Sequence, residues 1–133
     1  MDINITEWAL NSYLELVNIR TFNMEDYKKI IRPDVALLKD YPCNVKFSNG
    51  KFWSIATDRN GNKIIDGYKM KWHQMGDNLV QLRLTVGIIE GQAFLCEAYI
   101  KYDDKEDKRR LAKFKVYLDL IRKGYYTVRG KLS

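Results

Sequence analysis

The chain has 133 residues, 46% hydrophobic and 30% charged, with a formal net charge of +6. That describes one domain, residues 1–133, with enough apolar side chains for a core, and it excludes a disordered tail. No apolar run approaches the roughly 20 residues of a membrane span, and Met1 to Glu7 lack a secretion-signal pattern, so a soluble cytoplasmic protein without membrane contact is expected. One histidine and two cysteines, Cys43 and Cys96, give no metal-ligand pattern, and neither metal nor cofactor is expected. The surplus positive charge favours a polyanionic partner, either nucleic acid or an acidic protein.

Asn4, with Glu7 three residues on, has the spacing of a helix cap. Trp8, Leu10, Tyr13, Leu14 and Val17 then recur at helical spacing. Asn23 and Asp26 announce a second helix with Tyr27, Ile30 and Ile31 as its stripe. Pro33 either kinks that helix or opens a new turn from Asp34 to Asp40. Asn44 to Ser48 reads as a short strand, Asn49-Gly50 as a hairpin turn, and Lys51 to Thr57 as a second strand. After the turn Arg59 to Asn62 come three longer strands, Lys63 to Met75, Leu79 to Ile89 and Ala93 to Lys101. Asp103 and Glu106 can open a last helix, which runs to Lys123 with Leu111, Phe114, Leu118 and Ile121 on one stripe. Gly124 can end it, and a polar tail follows. The expected fold is α+β: two N-terminal helices, a five-stranded antiparallel meander and a basic C-terminal helix.

The three long strands alternate with period two. One face carries Ile64, Tyr68, Met70 and Trp72, then Val80, Leu82, Leu84, Val86 and Ile88, then Phe94, Cys96, Ala98 and Ile100. The other carries Lys69, Lys71, His73, Gln81, Arg83, Thr85, Glu97, Tyr99 and Lys101. Keeping every apolar residue on one side requires three-residue loops at Gly76-Asp77-Asn78 and Glu90-Gly91-Gln92. Trp72 then pairs with Leu82, Lys71 with Arg83 and Lys69 with Thr85. Across the next hairpin Arg83 pairs with Tyr99, Thr85 with Glu97 and Val86 with Cys96. Two rows result, Lys71–Arg83–Tyr99 and His73–Gln81–Lys101. At strand spacings of about 4.8 Å these side chains can converge on one phosphodiester. Lys71 opposite Arg83 is a like-charge pair that stability alone does not explain and that an anion would relieve.

Such a cluster suits RNA cleavage through the 2′-hydroxyl. His73 or Glu97 can serve as base, Arg83 and Lys71 can stabilise the transition state, and Tyr99 or Lys101 can supply a proton. Lys69, Gln81, Lys101, Lys105, Arg109 and Arg110 are candidate RNA contacts. The bland alternative is a solvated polar sheet face. The last helix can flank the charged face or pack on the apolar one, and its Leu/Phe stripe favours the apolar face.

The segment LVQLRLTVGIIEGQAFLCEAYIKYDDKEDKRRLAKF, residues 79–114, resembles the second half of the RelE/ParE superfamily of bacterial toxin–antitoxin toxins, including its HigB branch. Arg83 matches the arginine of the family's central strand, Ile100-Lys101-Tyr102 the end of its last strand, and Asp103 to Lys113 the start of its charged helix. The resemblance implies a ribosome-dependent mRNA endonuclease that inhibits translation and is neutralised by an acidic antitoxin. Tyr125, Tyr126 and Arg129 are possible counterparts of C-terminal residues that many members use. ParE-type members share the fold but poison DNA gyrase, so the resemblance also admits a non-catalytic inhibitor. A basic nucleic-acid-binding or interaction module is the third reading.

Overall fold

A computed structural model describes residues 1–132 of the chain. The chain opens with a strand rather than a helix: β1 (Ile3–Thr6) runs directly into α1 (Glu7–Asn18). Thr6, not Asn4, caps α1. Its Oγ1 accepts from the Ala9 N–H and donates to the Leu95 carbonyl at 2.7 Å. The cap sets which side of α1 faces in, so Ala9 and Leu16 are buried while Leu14, expected in the stripe, is exposed. Asn23 and Asp26 exchange the reciprocal bonds of a capping box at the start of α2 (Met24–Asp26). The helix then widens into a π turn (Tyr27–Ile31), resumes as α3 (Arg32–Ala36) and ends in a 3-10 turn (Leu37–Asp40). Pro33 lies in the first turn of α3, where its missing N–H costs little.

Asn44 to Ser48 is not a strand. It forms a 3-10 turn (Val45–Ser48) capped by Asn44, and Asn49-Gly50 is no hairpin. The N–H groups of Phe52 and Trp53 both donate to the Asn49 carbonyl and lead into β2 (Trp53–Thr57). With β3 (Lys63–Met75), β4 (Val80–Ile89) and β5 (Gln92–Ile100), the meander has four strands instead of five. Asp103 caps α4 (Asp104–Arg122) by accepting from the Glu106 N–H at 2.7 Å. Gly124, at φ +79°, ends α4 as its spacing predicts, with the Tyr125 N–H returning to the Leu120 carbonyl. The tail then forms β6 (Val128–Leu132). The six strands make one open, mostly antiparallel sheet in the order β2-β3-β4-β5-β1-β6, with β1 parallel to β5. The fold is therefore α+β, with three helical stretches. Among the described residues no helix is long and apolar enough to cross a membrane.

The central register is the expected one: Trp72 pairs with Leu82, Lys71 with Arg83, Lys69 with Thr85, Arg83 with Tyr99 and Thr85 with Glu97. It breaks in two places. Beyond Trp72 the ladder resumes only at Met75–Val80, so His73 has no ladder partner in Gln81. At Cys96 β5 carries an extra residue, and Val86 pairs with Leu95 instead of Cys96. The bulge lets the second hairpin close on the two residues Glu90 and Gly91, both at positive φ. It also exchanges the faces of β5 beyond it.

That exchange decides the layering. Ala93 and Leu95 join Met70, Trp72, Leu82, Leu84 and Val86 on one face, under α1 and the second helical stretch. Phe94 and Cys96 turn to the other face, where they meet Leu111, Phe114, Leu118 and Ile121 of α4. The last helix therefore packs on the charged face, opposite to the sequence expectation. Gly67 and Gly87 face each other across β3 and β4 and make room for it. A Cβ on Gly67 would lie 2.8 Å from a ring carbon of Phe114, and one on Gly87 would lie 2.5 Å from a methyl of Leu118. Phe114 and Leu118 are fully buried there, and each contributes about 1.5–3 kcal/mol through burial.

Candidate nucleic-acid interface

α4 divides the charged face into a covered part and an open end. Under the helix, Glu97 is 4% exposed. Its Oε2 accepts from Arg110 Nη1 at 2.9 Å and from Lys113 Nζ at 3.2 Å. Its Oε1 is buried without a hydrogen bond. Tyr99 is 1% exposed and donates its hydroxyl proton to Asp107 Oδ1 at 2.6 Å. Burial, and then the bond to Asp107, push the Tyr99 phenol far above its ordinary range. These two candidates for base and acid thus fasten α4 to the sheet: one through ion pairs, the other through a buried hydrogen bond. Arg110 is spent on Glu97 and Glu106, and Arg109 pairs with Glu106 on the exposed side of the helix. Lys105 is exposed on the first turn.

The open end lies where β3, β4 and β5 emerge from beneath the first turn of α4. Lys71, Arg83 and Lys101 meet there, with Lys69 one step inside. The Arg83 residue is only 4% exposed, held between Lys71 and Tyr99 on the flanking strands. Its Nη2 donates to Gln81 Oε1 at 2.9 Å and its Nη1 to the Leu82 carbonyl at 3.3 Å. Among the described residues no carboxylate comes within ion-pair reach of Arg83 or of Lys71, whose Nζ donates to the Gly50 carbonyl instead. Lys69 Nζ is 3.9 Å from Asp107, and Lys101 Nζ is 3.4 Å from the exposed Asp104. Burial lowers the Lys69, Lys71 and Arg83 pKa values; Asp107 opposes this at Lys69 and Arg83, and for both lysines the neighbouring cations add to the lowering. Four cations therefore share little negative charge in a partly dehydrated setting. Such a cluster is relieved by a bound anion.

His73 lies two residues beyond Lys71 but outside the ladder, exposed, with its ring Nε2 in a hydrogen bond with the Lys51 carbonyl. The carbonyls of Gly50 and Lys51 thus border the open end, on the turn where Asn49-Gly50 predicts a hairpin. The structure brings Lys71, Arg83, Gln81 and Lys101 together. Tyr99 lies beside Arg83 in the ladder, but its hydroxyl, like the Glu97 carboxylate, is engaged by α4. Asp107, the hub of the covered part, was missed, although the facing glycines at 67 and 87 were a signal that a helix lies on this face. Comparison with protein-family models, with curated proteins and with solved structures finds no match for this chain.

Proposed function

We propose that the open end of the α4 face holds the phosphate backbone of RNA, and that the protein is a toxin that cuts mRNA and so stops translation. The observation that carries this reading is the nearly buried guanidinium of Arg83, flanked by Lys71 and Lys101 and unmatched by any carboxylate among the described residues. A phosphodiester oxygen accepts from guanidinium and ammonium groups together and supplies the missing charge. In cleavage, the 2′-oxygen attacks phosphorus and the 5′-oxygen leaves. Arg83 and Lys71 stabilise the charge on the non-bridging oxygens, His73 takes the proton of the 2′-hydroxyl at Nδ1, the ring nitrogen not bonded to the Lys51 carbonyl, and Lys101 gives a proton to the departing 5′-oxygen. Glu97 and Tyr99 have no chemical step in this scheme, because their polar atoms hold α4. An acidic antitoxin would neutralise the protein by laying carboxylates over the same three cations.

The test has two arms. Purified protein is titrated with a short fluorescein-labelled single-stranded RNA at several salt concentrations. Three phosphate contacts give a log–log salt slope of about −2, and Lys71→Ala lowers its magnitude by about 0.7. In the second arm wild type and Lys71→Ala are expressed from an inducible promoter and mRNA integrity is followed. Wild type fragments mRNA and arrests growth, whereas the variant does neither. Equal RNA affinity in both proteins removes the binding site. Growth arrest with intact mRNA removes the nuclease and points to the gyrase-type alternative, which a supercoiling assay reads.

A further inference from the structure

On the opposite side of the sheet, α1 and the second helical stretch leave a partly open cavity of about 140 Å³ against the apolar face. We infer that it binds a small amphipathic anion, with an apolar body about the size of a benzene ring and one carboxylate. The walls include Ala9, Leu10, Phe22, Leu84, Leu95 and Ala98, and no acidic residue lines them. Cavities of about 150 Å³ with such walls stay dry and accept single aromatic rings.

Two further observations fix the character of the ligand. The helix widens at this wall: the Arg32 N–H bonds to the Tyr27 carbonyl in a π turn whose two ends, Tyr27 and Ile31, both line the cavity. Single π turns sit often at functional sites, because the extra residue pushes the helix surface out of regular packing. Arg32 itself lines the cavity, is exposed, and makes no ion pair or side-chain hydrogen bond among the described residues. The hydroxyls of Tyr13 and Tyr27 likewise have no hydrogen-bond partner there, and their rings lie 5.2 Å apart. Burial, and then the neighbouring Tyr27, raise the Tyr13 phenol, which therefore stays a proton donor. A carboxylate at the mouth would accept from Arg32 and from these hydroxyls while its ring displaces no bound polar group. An ammonium at the same place would meet the like charge of Arg32 and no carboxylate to offset it.

The experiment uses the full chain and three probes of one size: benzoate, toluene and benzylamine. Binding is followed by two-dimensional amide NMR and by calorimetry. Benzoate is expected to bind saturably, moving the amides of Phe22, Tyr27 and Ile31 and leaving those of Lys71 and Lys101 in place. Benzylamine does not bind. Arg32→Gln, a surface change that the fold tolerates, weakens benzoate about tenfold. Ala98→Leu and Ala9→Leu each fill the cavity and abolish binding, and one folded variant of the two suffices. If neither folds, the Arg32→Gln comparison decides. The inference fails if benzoate shows no saturable binding. It fails also if toluene or benzylamine binds as tightly, if Arg32→Gln leaves the affinity unchanged, or if a folded cavity-filled variant still binds. RNA binding at the other face is independent of every one of these results.

Discussion

The position of α4 on the charged face can be tested through Gly87. A Cβ there would sit 2.5 Å from Leu118 Cδ2, and Leu118 is fully buried, so the methyl has little room to retreat. Overpacking of this kind costs about 1–3 kcal/mol. Replacing a strand glycine with alanine gives back about 0.5–1 kcal/mol of backbone entropy, and Gly87 has no positive φ to oppose it. Gly87→Ala alone should therefore cost about 1–2 kcal/mol. Leu118→Ala alone removes a fully buried leucine and should cost about 3 kcal/mol. In the double variant the new methyl enters the space that the leucine left. The clash disappears, the entropy gain remains, and the two costs fall short of their sum by about 2 kcal/mol. The assay is urea unfolding followed by circular dichroism for the wild type, both single variants and the double variant. Additivity within about 0.5 kcal/mol would place α4 elsewhere and refute the layering.

Tyr99→Phe leaves one oxygen of Asp107 without its buried donor and should cost about 1–3 kcal/mol in the same assay, while RNA affinity at neutral pH stays at the wild-type value. The same variant reports on alkaline stability. The folded-state pKa of Tyr99 lies above its ordinary 10.0, so the unfolded chain loses this proton first as pH rises. The contribution is whole below pH 10 and is lost upward from there, by up to about 1.4 kcal/mol per pH unit. Between pH 9 and 11 the wild type should therefore lose stability more steeply than Tyr99→Phe, and parallel profiles would show that the phenol is not perturbed. Thr6→Val removes both the α1 cap and a buried bond to the Leu95 carbonyl and should cost about 2 kcal/mol by urea unfolding. A neutral result there would deny β1 its place beside β5.

The sequence shows the long strands and the pairings of Lys71, Arg83 and Tyr99 because period-two alternation ties register to face. That logic carries only as far as the alternation is unbroken. One extra residue at Cys96 sends Phe94 and Cys96 to the opposite side, and nothing in an apolar-rich strand marks such a bulge. Without the bulge, the alternation gives the charged face no apolar patch for a helix to cover. The facing glycines and the Leu/Phe stripe of α4 then had no connection. β1 and β6 escaped because each is short and reads as a helix start or a polar tail; only pairing with each other and with β5 makes them strands. Asn49-Gly50 shows the opposite failure: a strong local turn signal is real, but the turn joins a 3-10 segment to a strand. For the candidate site, residue types and register identified the cations. Which of their neighbours were spent on holding a helix depended on packing that the sequence does not print.

The seating of β1 between β5 and β6 has a consequence for how the molecule comes into being. Ile3 pairs with Ala93 on one side and with Leu132 on the other. β1 therefore has no strand partner until β5, and then β6, has been made, whereas the hairpins of β2 through β5 can close as they emerge. Bringing such distant positions together costs loop entropy before any contact repays it. Growing chains would thus carry a paired meander beside an idle β1, and completion of the sheet, with the seating of α1 that follows from Thr6, would come only once β5 and β6 are in place.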